Sequence, residues 1–416
     1  MRISPSGRFA LTSLLISAGC AAFVACSAVG GDNGFGPSGG NPSGAGGGGT
    51  GGDDINLTSG AGGSAGGPLT SEPSCVGVDP NIDNDGDGWT GAAGDCNDCT
   101  AQMNPGAMDY PGNNIDEDCN GFVDDNPTSC DTGLPLTGDA RTGARAMGFC
   151  KEAVGQSWGL LDAQWVTSDG QPRNSTSFNL GYGILSGFGP TVQPQEGQRL
   201  LALSSGTARQ PSDNGYRSPM GYDKGYSTPA PPGYPKESPA CPGVVTGTPY
   251  DSAALRVVVR TPTNSKSLRF KLNFYTYEFP EYVCDEYNDF FVAMLTPQLA
   301  NTPDANISFD GQGNTISVNA GFLQVCHPQF AGGRNFPCPL GPGQLAGTGF
   351  DFVNNSAATG WLQTTAPIEN PGQEITLLFT IWDSGDGVLD STVLLDDFAF
   401  EAVPADTETQ PVPPPQ

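Results

Sequence analysis

Residues 268–274 read Leu268-Arg269-Phe270-Lys271-Leu272-Asn273-Phe274, and residues 375–381 read Ile375-Thr376-Leu377-Leu378-Phe379-Thr380-Ile381. In both stretches an apolar side chain recurs at every second position, the period of a half-buried strand. Further strands are predicted over 158–166, 199–204, 255–261, 289–295, 315–318 and 391–400. Gly and Pro clusters separate them, and helical periodicity is scarce. Many strands with loop-rich connections imply a mainly β chain, an antiparallel β-sandwich of jelly-roll type over 141–403. That span is long enough to enclose a substantial core.

Upstream of this region the chemistry changes. The chain reads Asp83-Asn84-Asp85-Gly86-Asp87-Gly88-Trp89, then Asp95-Cys96-Asn97-Asp98, then Asp116-Glu117-Asp118-Cys119-Asn120-Gly121-Phe122-Val123-Asp124-Asp125. No Lys or Arg occurs between Arg8 and Arg141, so no cation close in sequence offsets these anions. Crowding carboxylates into short loops is unfavourable unless a cation sits among them. A calcium ion takes six to eight oxygens, and alternating acids supply them while a glycine at position 6 makes the turn. Asp83, Asp85 and Asp87 fill positions 1, 3 and 5, Gly88 the turn, and the Trp89 carbonyl position 7. Gly94 stands where an EF-hand would carry its bidentate Glu, so Asp95 and Asp98 are the expected closing carboxylates. The second loop repeats the pattern with Asp116, Asp118, Asn120, Gly121, the Phe122 carbonyl and Asp124. Two calcium ions are expected over 83–125, in a small, irregular, disulfide-bonded module spanning 75–131. An acidic linker without bound metal is the plainer alternative. The region has no His, and hard oxygen donors disfavour transition metals.

These residues resemble the metal-binding motif of MopE-type surface proteins, through DNDGDGW, GDCND, NPGA and GNNIDEDCNG over about 75–125. The common form carries a Cys shortly after PGA, where this chain has Tyr110-Pro111-Gly112. The resemblance implies metal binding at the acid spacing.

Arg2 and Arg8 flank the start of an apolar stretch, Phe9 to Ala25, that ends in small residues, the pattern of an export signal. Cys26, or alternatively Cys20, is the expected lipidation site, giving a lipid-anchored protein of the outer membrane or cell surface. An ordinary cleaved signal peptide, and so a secreted protein, is the other possibility. Residues 27–74 form a Gly/Ser-rich tether expected to stay disordered, and the Pro-rich tail 404–416 is expected to do the same. No later segment is apolar and long enough to span a bilayer. The remaining ten cysteines suggest disulfides, six pairing among Cys75 to Cys150 and four among Cys241 to Cys338, with connectivity open. A net charge of −27 argues against a nucleic-acid partner.

Within the β region, Glu278-Phe279-Pro280-Glu281-Tyr282-Val283-Cys284-Asp285-Glu286-Tyr287-Asn288-Asp289-Phe290-Phe291, Asp383-Ser384-Gly385-Asp386-Gly387-Val388-Leu389-Asp390-Ser391 and Leu201-Ala202-Leu203-Ser204-Ser205-Gly206 are similar to the choice-of-anchor L domain of bacterial surface proteins. The resemblance covers about 150–403 and implies a surface-displayed β domain without a known ligand. Glu278, Asp289, Asp383, Asp386 and Asp390 either meet to share a third cation or cap tight strand-end turns. Tyr275, Tyr277, Trp361 and Trp382 would offer flat faces for a calcium-dependent glycan-binding role, or pack in the core. His327 is the only histidine, and a Gly-x-Ser-x-Gly pattern occurs only in the tether. No set of catalytic roles assembles, so no enzyme is expected; a secreted hydrolase is the remote alternative. The expected function is a non-catalytic, calcium-binding surface lipoprotein engaging a surface glycan or envelope protein.

Overall fold

Leu268, Phe270, Leu272 and Phe274 are fully buried, as their alternation requires, and burying each is worth about 1.5–3 kcal/mol. They sit on one of fourteen strands in a computed structural model that describes Leu69 and residues 75–126, 129–352 and 354–413. In chain order these are β1 (Gly159–Val166), β2 (Tyr182–Leu185), β3 (Leu200–Ser204), β4 (Pro249–Arg260), β5 (Ser267–Thr276), β6 (Phe290–Thr296) and β7 (Ile316–Ser317). There follow β8 (Gln329–Ala331), β9 (Arg334–Phe336), β10 (Ala357–Ala358), β11 (Leu362–Pro367), β12 (Glu374–Ser384), β13 (Ser391–Glu401) and β14 (Glu408–Pro411). The only α-helix among the described residues is α1 (Ala140–Arg145), capped by the Asp139 carboxylate accepting from the Thr142 amide. The chain is mainly β.

One sheet runs β1-β4-β12-β6-β7 and a second runs β14-β11-β5-β13-β3-β2, with β10 also on β5. Every pairing between named strands is antiparallel. The largest apolar cluster draws on both sheets: Leu255, Val257, Phe291, Leu377 and Phe379 from the first, Phe270, Leu272, Phe274, Val393 and Leu395 from the second. Phe270 meets Phe379 edge-on with ring centroids 5.1 Å apart, so the alternating stretches 268–274 and 375–381 face each other.

Each strand predicted from periodicity is present. The tail 404–416, expected to be disordered, is corrected in part: Glu408–Pro411 is β14, paired with β11 through Leu362↔Pro411 to Thr365↔Glu408. Pro411 ends the strand at a sheet edge, where a missing amide is tolerated. The five disulfides are Cys75–Cys99, Cys96–Cys119, Cys130–Cys150, Cys241–Cys284 and Cys326–Cys338, six cysteines pairing in the first group and four in the second.

The acidic segment leans on the turn between β4 and β5. The Asn264 side chain accepts from the Met108 amide at 3.0 Å and donates to the Met108 carbonyl at 2.8 Å, and the Tyr110 hydroxyl donates to the Asn264 carbonyl at 3.0 Å. Met108, Tyr110 and Ala402 form a small apolar cluster with Trp158 and Phe400. The segment expected to be an export signal, with Cys20 and Cys26, lies outside the described residues, as does the expected tether apart from Leu69. No helix among the described residues is long and apolar enough to cross a membrane.

Candidate metal centre

Both acidic loops are built on one hydrogen-bond ladder. In the first, Asp83 accepts from the Gly86 and Gly88 amides at 2.7 and 3.0 Å, Asp85 from the Asp87 amide at 3.2 Å, and Asp87 from the Trp89 amide at 2.8 Å. In the second, Asp116 accepts from the Asn120 and Gly121 amides at 3.0 and 2.8 Å. Asp118 then accepts from the Asn120 amide at 3.2 Å, and the Asn120 side chain from the Phe122 amide at 2.8 Å. Position 6 is left-handed in both, Gly88 at φ 95° and Gly121 at φ 92°, a conformation glycine adopts without a Cβ penalty. Position 4 is left-handed too, as Gly86 and as Cys119, the latter held by its bond to Cys96.

Around the first ladder, Asp83, Asp85 and Asp87 each bring an oxygen within 4.8 Å of the others, and so do Asp85, Asp95 and Asp98. Asp85 is the hub, and its Oδ2 and the Asp95 Oδ2 are buried without a hydrogen-bond partner. Burial, then repulsion from Asp87, pushes the Asp85 carboxyl up to about 6; burial likewise pushes Asp87 up to about 6 and raises Asp95. Asp98 is pulled the other way by the Asn84 amide, which donates to it at 2.7 Å.

The second cluster departs from the expected ligand set. The acids that converge within 4.8 Å are Asp109, Asp118 and Asp125. Asp124 instead accepts from the Gly112 and Asn113 amides at 2.8 and 3.2 Å and from Asn114 at 3.3 Å, closing the neighbouring turn. Asp116 is spent largely on its own ladder, while Trp89 is half-buried and Phe122 exposed. Asp109 and Asp125 were missed because Asp109 lies upstream of the twelve-residue loop that starts at Asp116 and Asp125 falls at its position 10, which the ligand register leaves out; the only sequence signal was their charge. A second correction concerns neutralisation, because the Lys151 ammonium lies 2.9 Å from Asp118. It comes from beyond the cation-free stretch, from the segment that Cys130–Cys150 ties back to the acidic region.

The β-domain acids gather at one end of the two sheets. Trp382 pairs with Phe290 across β12 and β6, which sets Asp383 and Asp289 side by side just beyond, and the Ser384 amide donates to Asp289 at 3.1 Å. Thr276 pairs with Ser391 across β5 and β13, and the Tyr277 amide donates to the Asp390 carbonyl at 3.2 Å, placing Glu278 at the same end. The Gly206 Cα approaches so closely that a Cβ there would lie 2.0 Å from Asp390 Oδ2. The three stretches quoted for the second resemblance therefore meet. Glu278, Asp289, Asp383 and Asp390 are at most 1% exposed. Burial first, then mutual repulsion, raises Glu278, Asp383 and Asp390 far above the carboxylate range; burial raises Asp289 likewise. Asp386 is exposed at the tip of the β12–β13 turn and caps the Val388 amide at 3.0 Å.

Two neighbours went unread in the sequence. Asp251, left-handed at φ 52°, accepts from the Tyr226 amide at 3.1 Å and from the Lys224 amide. Lys224 is buried and donates to the Ser204 carbonyl at 2.9 Å; burial lowers its ammonium to about 8 against the pull of Asp251, Asp390 and Asp383.

The aromatic platform fails. Tyr275, Tyr277 and Trp382 are buried, and Trp361 is half-buried beside the Tyr275 cluster. His327 is half-buried in a loop.

Residues 95–125 match the Cu-binding MopE family model, whose description is "Putative metal-binding motif". The match takes in Asp95, Asp98, Asp109, Asp118 and Asp125 and leaves Asp83, Asp85 and Asp87 outside it. No curated protein matches the chain.

Proposed function

We propose that this chain is a non-catalytic calcium-binding lipoprotein of the cell surface, whose acidic module orders around two ions and steadies a displayed β-sandwich. The observation that carries this is the repeated ladder, beside each copy of which at least three carboxylates converge, Asp83, Asp85 and Asp87 with Asp95 and Asp98 at the first and Asp109, Asp118 and Asp125 at the second. Calcium suits the donors better than the copper in the family's name. Every clustered ligand atom is a carboxylate oxygen, the segment has no His, and its cysteines are bound in disulfides. Copper prefers imidazole or sulfur, whereas a flexible all-oxygen shell suits calcium.

Asp83, Asp85, Asp87, Asp95 and Asp98, with the Trp89 carbonyl, would hold the first ion. Asp109, Asp118 and Asp125, with Asn120, Asp116 and the Phe122 carbonyl, would hold the second. Anchoring through Cys26 or Cys20 and display of a choice-of-anchor L-like sandwich for adhesion or envelope contact complete the proposal.

The test exploits Glu117, the only glutamate between Cys75 and Asn126 and fully buried. With calcium, a serine-type glutamyl endopeptidase should leave that bond intact; with chelator it should cut there while the strands from Gly159 onward survive. Equal cutting in both conditions, with no calcium retained after dialysis, defeats the proposal.

A further inference from the structure

At the end of the two sheets, four buried acids meet without the donors that buried anions require. Both oxygens of Asp390, Oδ2 of Asp383 and Oε2 of Glu278 are buried and have no hydrogen-bond partner. The amides that do reach this end, from Ser384 to Asp289 and from Gly387 to Asp383, satisfy one oxygen each. Lys224 is the one buried ammonium beside them, and it is turned to the Ser204 carbonyl. Asp251 also draws on its charge: burial raises the Asp251 carboxyl, and the Lys224 ammonium is the largest influence pulling it back down. One cation cannot offset Glu278, Asp289, Asp383 and Asp390 together, and unpaired buried carboxylates are among the costliest groups a fold can carry.

We propose that Glu278, Asp289, Asp383 and Asp390 take up a hard divalent cation, calcium or magnesium, at this end of the β domain. The site is distinct from the acidic module and goes beyond the function proposed above. Its donors come from four strand ends: β5 leads into Glu278, Asp289 leads into β6, β12 runs through Asp383 and Asp390 leads into β13. An ion held there would fasten the β12–β13 connection, which joins the two sheets, to both of them. An all-carboxylate donor set selects hard ions over zinc or copper. No three of these acids bring an oxygen each within 4.8 Å of one another, unlike those of the acidic loops. The ion would therefore keep water in part of its shell, as magnesium commonly does and calcium tolerates.

The experiment uses the full mature chain, dialysed against millimolar calcium or magnesium, with bound metal counted by elemental analysis. A loop-silenced variant, Asp85→Asn, Asp95→Asn, Asp109→Asn and Asp118→Asn, should keep about one equivalent of one of the two ions. Adding Asp383→Asn and Asp390→Asn should abolish it. Absence of bound metal from the loop-silenced variant with both calcium and magnesium overturns the site, whatever the wild-type loops bind. The difference between wild type and loop-silenced chain reports the loops separately, so the two proposals fail independently. Should the combined variant misfold, Asp390→Asn alone in the wild-type chain gives a second readout. It should bind one equivalent fewer and show a smaller ion-induced rise in Tm, while its chelated Tm is no lower than wild type. An unchanged metal count and Tm shift in Asp390→Asn overturns the proposal as well.

Discussion

The chain concentrates acids in two places and treats them in opposite ways. In the module before the strands, the carboxylates of the two loops are first answered by main-chain amides: Asp83, Asp87, Asp116, Asp118 and Asp124 all accept from backbone N–H groups, and of these five only Asp118 is buried. At the end of the sheets, Glu278 and Asp390 are buried and neither carboxylate accepts from a backbone amide. The first arrangement shapes a loop even before any ion arrives. The second has spent its folding energy on strand pairing and apolar packing, and the acids are carried into the interior by the register of β5, β6, β12 and β13. The same side chain is a turn-former in one region and a buried liability in the other, and solvent access makes the difference.

The widest separation between the two regions should appear in the pH dependence of the metal-free chain. A carboxyl raised in the folded state holds a proton that the unfolded chain has released. Its stabilising contribution is complete below the ordinary carboxyl range and is lost as pH climbs through the folded value. Asp85 and Asp87 complete that loss near pH 6 and Asp396, raised by burial, near pH 7. Glu278, Asp289, Asp383 and Asp390, raised further, keep losing stability above that. Each proton held only by the folded chain tilts stability by about 1.4 kcal/mol per pH unit. In chelator, the urea midpoint should therefore fall steadily from pH 4.5 to 8, and millimolar calcium should flatten the curve. Asp98, lowered first by the Asn84 amide, and Asp139, lowered first by the Thr142 hydroxyl and then by the Thr142 amide, act only below about pH 4 and do not mask the trend. A chelated midpoint that stays level or rises across this range breaks the contrast.

How much of this could be read beforehand follows the same line between local and tertiary causes. β5 and β12 were legible because alternation is a local pattern imposed by a single buried face. β11, with Thr364 and Thr365 among its six residues, and β2, Tyr182–Leu185 with a glycine inside, carry too little alternation to stand out. β14 was hidden by the proline content around it, although its partner β11 supplies the ladder. In the first acidic loop the spacing alone singled out Asp83, Asp85, Asp87, Asp95 and Asp98, the acids whose oxygens the fold brings together. In the second, the ladder positions were legible, yet the cluster is closed by Asp109 from outside the loop and by Asp125 from a position the ligand register leaves out. The meeting of Glu278 with Asp390 could be posed but not decided, since it depends on which strands pair. Lys224 and Asp251 carried no signal, being single charges in unremarkable contexts. Tyr275, Tyr277 and Trp382 illustrate the converse: an aromatic's chemistry is visible in sequence, but its burial is not.

Lys151 offers a sharper probe of the acidic module, with a smaller expected effect. Its ammonium is 2.9 Å from Asp118 and 4.8 Å from the centre of the Trp158 ring, so it serves both an ion pair and the apolar seam below. The pair is partly solvated, and Lys151→Met should cost about 1 kcal/mol in chelator. In calcium the sign should change, because the ammonium competes with the ion for the Asp118 carboxylate. The variant should bind calcium in the second loop roughly three- to tenfold more tightly, the effect of removing one nearby like charge at intermediate dielectric. Calorimetry on both chains decides it. Weaker binding in the variant would mean that Lys151 positions Asp118 for the ion rather than opposing it.

Phe122 should give the smallest effect, and that smallness is itself informative. Its ring is 69% exposed, while its amide donates to the Asn120 side chain at 2.8 Å, fixing the backbone at position 7 of the loop. If the ion takes the Phe122 carbonyl, the side chain contributes nothing to coordination, and Phe122→Ala should shift stability by less than about 0.5 kcal/mol. Calcium affinity should stay within about twofold, since neither the ladder nor the carboxylates change. Asn120→Ala makes the matching control, because it removes both the acceptor for that amide and a side-chain oxygen from the loop. Its affinity should fall at least about tenfold, the loss of a hydrogen bond to the backbone compounded by the loss of a ligand. Equal losses in the two variants would show that the exposed ring, through contact with something outside the loop, sets the position-7 backbone, and the shared ladder would no longer account for ion binding in both loops.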